Sequence, residues 1–155
     1  MIALFIYLLC IVCWLGGMVF FSIITAPVIF TRLPLAEAGK VVAGIFPRYY
    51  TMGYVAGGLG LVLGIYLAAT RAARIWWVAA AFAIAAALAI TLYAGIIIRP
   101  QVDSIRTVAE QANPDPAQRA EFDRLHHRSV LLNTAVMVLD LAALFASAGA
   151  LTPRG

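Results

Sequence analysis

The apolar run Ser129–Leu151 carries an aspartate, Asp140, at its centre. A run of about 23 residues is long enough for a helix to cross a bilayer core of roughly 30 Å. A carboxylate at that depth costs on the order of 2.5–3.5 kcal/mol on insertion scales, so it must face other helices or a water-filled space. Steps of seven back from Asp140 reach Asn133, His126 and Arg119. Seven residues are close to two helical turns, so these side chains share one face. Ser129, Met137 and Ser147 lie on or near the same stripe. Such a column can relay a proton, neutralise a bound cation, or tie helices together by hydrogen bonds. The spacing leaves all three open.

A second set of chemical residues lies near the N-terminus. Cys10 and Cys13 are one turn apart, and their face also holds Trp14, Gly17, Phe21 and Thr25. Two thiols with the Met137 thioether and the Asp140 carboxylate would suit a soft metal. The depths agree. Cys13 lies about 18 Å into the first span, and Asp140 about 17 Å into the last from the opposite side. Cysteines in apolar helices also serve as small hydrophobes, and an i,i+3 pair is poorly placed for a disulfide.

These residues need helices to hold them, and the composition supplies helices of one kind. Of 155 residues, 64% are hydrophobic and only 12% are charged. A soluble domain carries about 25% charged residues, so the chain reads as a single all-α integral membrane domain, residues 1–155. Four spans are expected at about 2–29, 48–70, 75–98 and 129–151. The net charge of +4 sits in loops. It calls for a lipid bilayer and no nucleic acid, because cytoplasmic loops collect arginine.

The first run has no basic residue before Arg32, unlike a signal peptide. Pro27 is expected to kink or end it. Arg32 to Phe46 reads as a short amphipathic stretch on the membrane surface, with Leu35, Val42 and Phe46 on the membrane. Pro47 would open the second span, with Arg48, Tyr49 and Tyr50 as an interfacial anchor. Gly53, Gly57, Gly60 and Gly64 form one bare stripe, a packing face that could also join copies into a homo-oligomer. Arg71 and Arg74 flank a tight turn, so the second and third spans are antiparallel neighbours. After Arg99-Pro100 an amphipathic helix should run outside the membrane and break at Asn113-Pro114. Asp115 then caps the last helix, with Pro116 at its first position.

Arg32, Lys40, Arg48, Arg99, Arg106, Arg119, Arg124 and Arg128 lie at one end; Arg71, Arg74 and Arg154 lie at the other. The positive-inside rule puts the larger set in the cytoplasm and both termini outside.

Four short patterns carry a resemblance: W-x-G-G at Trp14–Gly17, A-P-x-x-F at Ala26–Phe30, F-P-x-Y at Phe46–Tyr49, and L-H-x-x-S-x-x-L-N at Leu125–Asn133. In this order they resemble the small four-helix membrane proteins typified by transmembrane protein 205. More distantly the chain is similar to copper-resistance protein D and to the four-helix protoporphyrinogen oxidase. The resemblance implies weight on Trp14, Gly17, Pro27, Pro47, His126, Ser129 and Asn133. Its eukaryotic members are associated with platinum-drug resistance, which implies export of a soft metal or drug-like compound.

Transport or binding of a soft metal or small organic compound is therefore the leading expectation. A haem- or quinone-linked redox protein and a structural or assembly protein are the alternatives. The only histidines, His126 and His127, are adjacent, so one chain cannot offer bis-histidine ligation to a haem at mid-membrane. No G-x-S-x-G, P-loop or H-E-x-x-H pattern marks an enzyme. The residues name no cofactor.

Overall fold

The computed structural model describes residues 1–109 and 115–152. They form four long helices: α1 (Ile2–Arg32), α2 (Leu35–Thr70), α3 (Arg74–Arg106) and α4 (Pro116–Leu151). Each is long and apolar enough to cross a membrane. No strand occurs among the described residues. The chain is thus an all-α, multi-pass bundle. Its outer surface is apolar, with Phe5, Val62, Phe82 and Phe145 turned outward, as lipid contact requires.

The helices outrun the expected spans, because neither Pro27 nor Pro47 ends one. Pro47 lies inside α2, and the residues from Leu35 onward are already helical. The Arg48 guanidinium donates to the Gly44 carbonyl (3.3 Å), in the turn that the proline disturbs. Leu35–Phe46 is therefore the first part of α2 and not a separate surface helix. Pro27 and Pro100 are handled differently. Each follows a stretch of wide π-helical turns, Phe20–Thr25 and Ala94–Ile98, within an otherwise continuous helix. A proline ring crowds the carbonyl four residues back, and a π-bulge is one way to make room.

Connections between the first three helices are tight. Leu33 and Pro34 separate α1 from α2. Between α2 and α3, Ala73 takes a left-handed conformation at φ 60° to turn the chain within three residues. The expected break at Asn113-Pro114 lies outside the described residues. Asp115 does cap α4, its carboxylate accepting from the Ala117 amide at 3.1 Å.

Successive helices are neighbours, α1 on α2, α2 on α3 and α3 on α4, and α4 returns to α1. The last contact is the uneven one. Close packing of α4 against α1 is carried by Ile2–Val19. Beyond Val19, where the π-turns begin, close packing on α4 ends, the Ser22–Asn133 hydrogen bond aside, and Ala26–Arg32 packs on α2.

The core is aromatic and small-residue in turn. Trp14 lies across Gly53 and Gly57, where a methyl group would come within 3.0 Å of its indole. Gly60 faces Cys10, and Gly64 faces Tyr7 and Ala81. The glycine stripe is therefore filled by α1 and α3 of the same chain. It is the packing face expected, and its four glycines are buried within the chain and leave no bare stripe for a second copy.

Candidate functional site

Where α1 and α4 part, a cavity of ≈ 700 Å³ opens. It lies at the end of the bundle that holds Leu35, Arg99 and Arg119. Four helices wall it. The stretch Phe21–Phe30 of α1 gives Phe21, Ser22, Pro27 and Phe30. The start of α2 gives Gly39, Val42, Phe46, Tyr49 and Tyr50. The end of α3 gives Arg99, Val102, Asp103 and Arg106, and α4 gives Arg119, Phe122, His126, Ser129, Asn133 and Met137. From Arg119 to Met137 the α4 wall is about 27 Å long at 1.5 Å per residue.

The wall changes character along its depth. At the rim, Arg99 pairs with Asp103 (3.4 Å) and Arg119 with Asp123 (3.4 Å). His126 stacks on Phe122 with centroids 6.0 Å apart and is exposed at this mouth. The middle is aromatic and apolar. Phe21 meets Phe46 at 5.7 Å and Tyr49 at 5.3 Å, and Phe46 meets Tyr50 at 6.0 Å. The floor is polar. Asn133 of α4 accepts from the Tyr49 hydroxyl of α2 and donates to Ser22 Oγ of α1 at 3.1 Å. Its amide also points at Met137 Sδ, 3.7 Å away. Three helices are thus tied at one asparagine, and Ser129 stands beside the Tyr50 hydroxyl.

Behind the floor, a void of ≈ 20 Å³ lies between Trp14, Met18, Tyr49, Tyr50, Thr91 and Asn133. That is room for about one water molecule. Deeper on the same α4 stripe, about 10 Å from Asn133, Asp140 is 0% exposed. Neither carboxylate oxygen has a hydrogen-bond partner among the described residues. Tyr7 and Ser147, also fully buried, bond each other at 2.8 Å. Ser147 spends its own proton on the Ala143 carbonyl (2.7 Å), so Tyr7 must be the donor.

The heptad stripe is therefore one face of α4, running from His126 at the mouth through Ser129 and Asn133 at the floor to Asp140 in the closed core. The other expected residues separate. Trp14 borders the small inner void and not the cavity. Gly17 makes room for the Met52 side chain, which a methyl group there would meet at 2.3 Å. Cys10 is buried, whereas Cys13 is exposed on the outside of the bundle. A turn of 300° over three residues puts the second thiol off the inner face. Cys10, Cys13, Met137 and Asp140 hence do not converge. No group of three His, Cys, Asp or Glu that could hold a metal occurs among the described residues. His126 and Met137 are about 16 Å apart along one helix, too far to be axial partners on one haem.

Tyr49, Tyr50, Phe46 and Ser22 were not expected in the site. A signal for two of them, Phe46 and Tyr50, exists in the sequence. Gly39, Val42, Phe46, Tyr50 and Gly53 continue the glycine stripe backwards at steps of three and four, which extends the inner face of α2 through Pro47.

Comparison with known proteins yields one match, to a family described as a domain of unknown function, DUF4149, over residues 9–111. That range covers most of α1 and all of α2 and α3, whereas α4 with Asn133 and Asp140 follows it. No curated protein and no solved structure matches the chain.

Proposed function

The chain belongs to the DUF4149 family, a domain of unknown function, and from that premise we propose that it binds small organic compounds in the cavity between α1 and α4 and passes them along the α4 stripe. The observation that carries this reading is the cavity itself. Its ≈ 700 Å³ lies within the range of sites for small molecules, with mostly apolar walls and a few convergent polar groups. The resemblance to the transmembrane protein 205 family, with its link to drug resistance, supports the same reading.

The parts have distinct tasks in it. The aromatic belt of Phe21, Phe46 and Tyr50 holds an apolar body. Asn133, Tyr49 and Ser22 orient it and close the way inward. Opening that floor breaks two hydrogen bonds between side chains, a cost of about 1–3 kcal/mol in total. Asp140 lies beyond as the titratable group of the passage. The role is one of binding and transport and not of catalysis. The rim lies at the arginine-rich end, which by the positive-inside rule faces the cytoplasm, so both termini lie outside.

The test is ligand-dependent stability of the detergent-purified protein. Hexylamine, benzyl alcohol and a short-chain methyl ketone are titrated from water against the wild type and Val42→Trp, which fills the cavity. A ligand at a hundred times its Kd stabilises by about 2.7 kcal/mol. Saturable stabilisation of the wild type, absent in Val42→Trp, is expected. No stabilisation by any compound, or equal stabilisation of both proteins, would refute the proposal.

A further inference from the structure

The cavity has a side opening. Eight of its lining residues are exposed: Leu35, Asp123 and His126 at the rim, and, in the apolar runs, Ile23, Pro27 and Phe30 on α1 with Val130 and Thr134 on α4. Ile23 is 64% exposed and Val130 48%. The last five line one cavity from the two helices, α1 and α4, whose close packing is confined to Ile2–Val19 of α1. They lie in the apolar runs and not in the loops, so the opening faces bilayer hydrocarbon and not water. A compound dissolved in the membrane reaches the aromatic belt through this window without passing the ionic rim.

The floor specifies what such a compound must carry. The Tyr49, Asn133 and Ser22 side chains own four hydrogen-bond protons, one on each hydroxyl and two on the amide. The two bonds within the trio use two of them. Turning the Asn133 amide over leaves that balance unchanged, because each hydroxyl still shares one proton with the amide. Of the two left, one amide proton has only the weak Met137 sulfur at 3.7 Å. The other belongs to a hydroxyl, which is Ser22 in the arrangement observed. Several serines and threonines in these helices donate to the carbonyl four residues back, as Thr91, Thr134 and Ser147 do. Ser22 makes no such bond among the described residues. It sits in the π-turns of Phe20–Thr25, where the carbonyl ladder is displaced. The floor thus presents two donor protons without an oxygen to donate to in an apolar chamber, and an unmade hydrogen bond there is costly.

We infer that the ligand of this site is a membrane-dissolved amphiphile that enters sideways between α1 and α4 and seats a hydrogen-bond-accepting oxygen, of the carbonyl class, on Ser22 and Asn133. The inference rests on the proposed binding function and deepens it by naming the ligand chemistry and the route.

The test uses full-length protein in lipid nanodiscs. Two photo-crosslinkable probes of equal length are placed in the bilayer, a long-chain methyl ketone and the corresponding hydrocarbon, each with a diazirine near the chain end. Wild type is expected to label with the ketone at roughly tenfold lower concentration than with the hydrocarbon. One hydrogen bond accounts for about fivefold of that. Ser22→Ala should lose about fivefold of the preference, and Ser22→Thr, which keeps a hydroxyl, should retain it. Thr134→Trp, at the window, should slow labelling from the bilayer by a larger factor than it weakens binding of a short methyl ketone added from water. Equal labelling by the two probes, an unchanged preference in Ser22→Ala, or undiminished labelling in Thr134→Trp would each overturn the inference. If the water-delivered ketone binds and the bilayer-delivered one does not, the side entry fails and the binding function stands. If neither binds, both fail.

Discussion

Gly57 and Gly58 are adjacent on α2, and replacing each by alanine should move stability in opposite directions. A methyl group on Gly57 would lie 2.7 and 2.8 Å from Trp14 ring carbons and 3.0 Å from Leu88 Cδ1. Carbon atoms settle at about 3.5–4.0 Å, so the indole must give way by nearly an ångström. It has nowhere to go, because Trp14 is 2% exposed and already lies against Gly53. Overpacking of this kind costs about 1–3 kcal/mol. Alanine returns about 1 kcal/mol through its better helix propensity, so Gly57→Ala should destabilise by roughly 0–2 kcal/mol. A methyl group on Gly58 meets nothing within 4 Å. Only the propensity gain remains, and Gly58→Ala should stabilise by about 1 kcal/mol. Thermal unfolding in detergent, followed by circular dichroism, compares the two. They should differ by several degrees, with the wild type between them. Equal shifts, or the reverse order, would refute the packing of Trp14 on the glycine stripe.

Three further perturbations follow from the site. Asn133→Ala leaves the Tyr49 and Ser22 hydroxyls without their shared partner, so thermal unfolding should show a loss of about 1–3 kcal/mol together with weaker ligand stabilisation. Asp140→Ala removes a buried carboxyl that no group satisfies and introduces a better helix former. It should stabilise the fold by about 1–2 kcal/mol, and a transport assay in proteoliposomes should show the passage impaired. Ala73→Gly relieves the left-handed turn between α2 and α3 and should raise unfolding stability by up to about 1 kcal/mol.

Much of this architecture was legible in the sequence. Four apolar runs, the Asp115-Pro116 start of α4 and the heptad from His126 to Asp140 all follow from periodicity and from the cost of a charge in hydrocarbon. What misled was proline. Pro47 looks like a helix start, and that reading put Leu35, Val42, Phe46, Tyr49 and Tyr50 at the membrane surface. The helix runs through Pro47, so the stripe continues and these residues wall the cavity. Pro27 reads as a kink or an end; the helix continues past it through the π-turns of Phe20–Thr25, beyond which close packing on α4 is lost. That loss depends on which turn yields to the proline ring, and no residue pattern announces it. The thiols misled for a simpler reason. One turn of separation puts Cys10 and Cys13 on neighbouring but distinct lines of α1, and only the first faces inward.

The claim at the centre of this account is that a compound occupies the chamber between α1 and α4. Protection of a single cysteine tests it most directly. In a Cys10→Ser/Cys13→Ser background, a cysteine replaces Ala43, which lines the cavity, or Val62, which is 65% exposed on the outer surface. Alkylation by a membrane-permeant maleimide is timed with and without saturating methyl ketone. Slowing of at least several-fold at Ala43→Cys, with no change at Val62→Cys, is the predicted result. Equal rates with and without ketone at Ala43→Cys, under conditions where the ketone stabilises the protein, would contradict the account and place the ligand elsewhere.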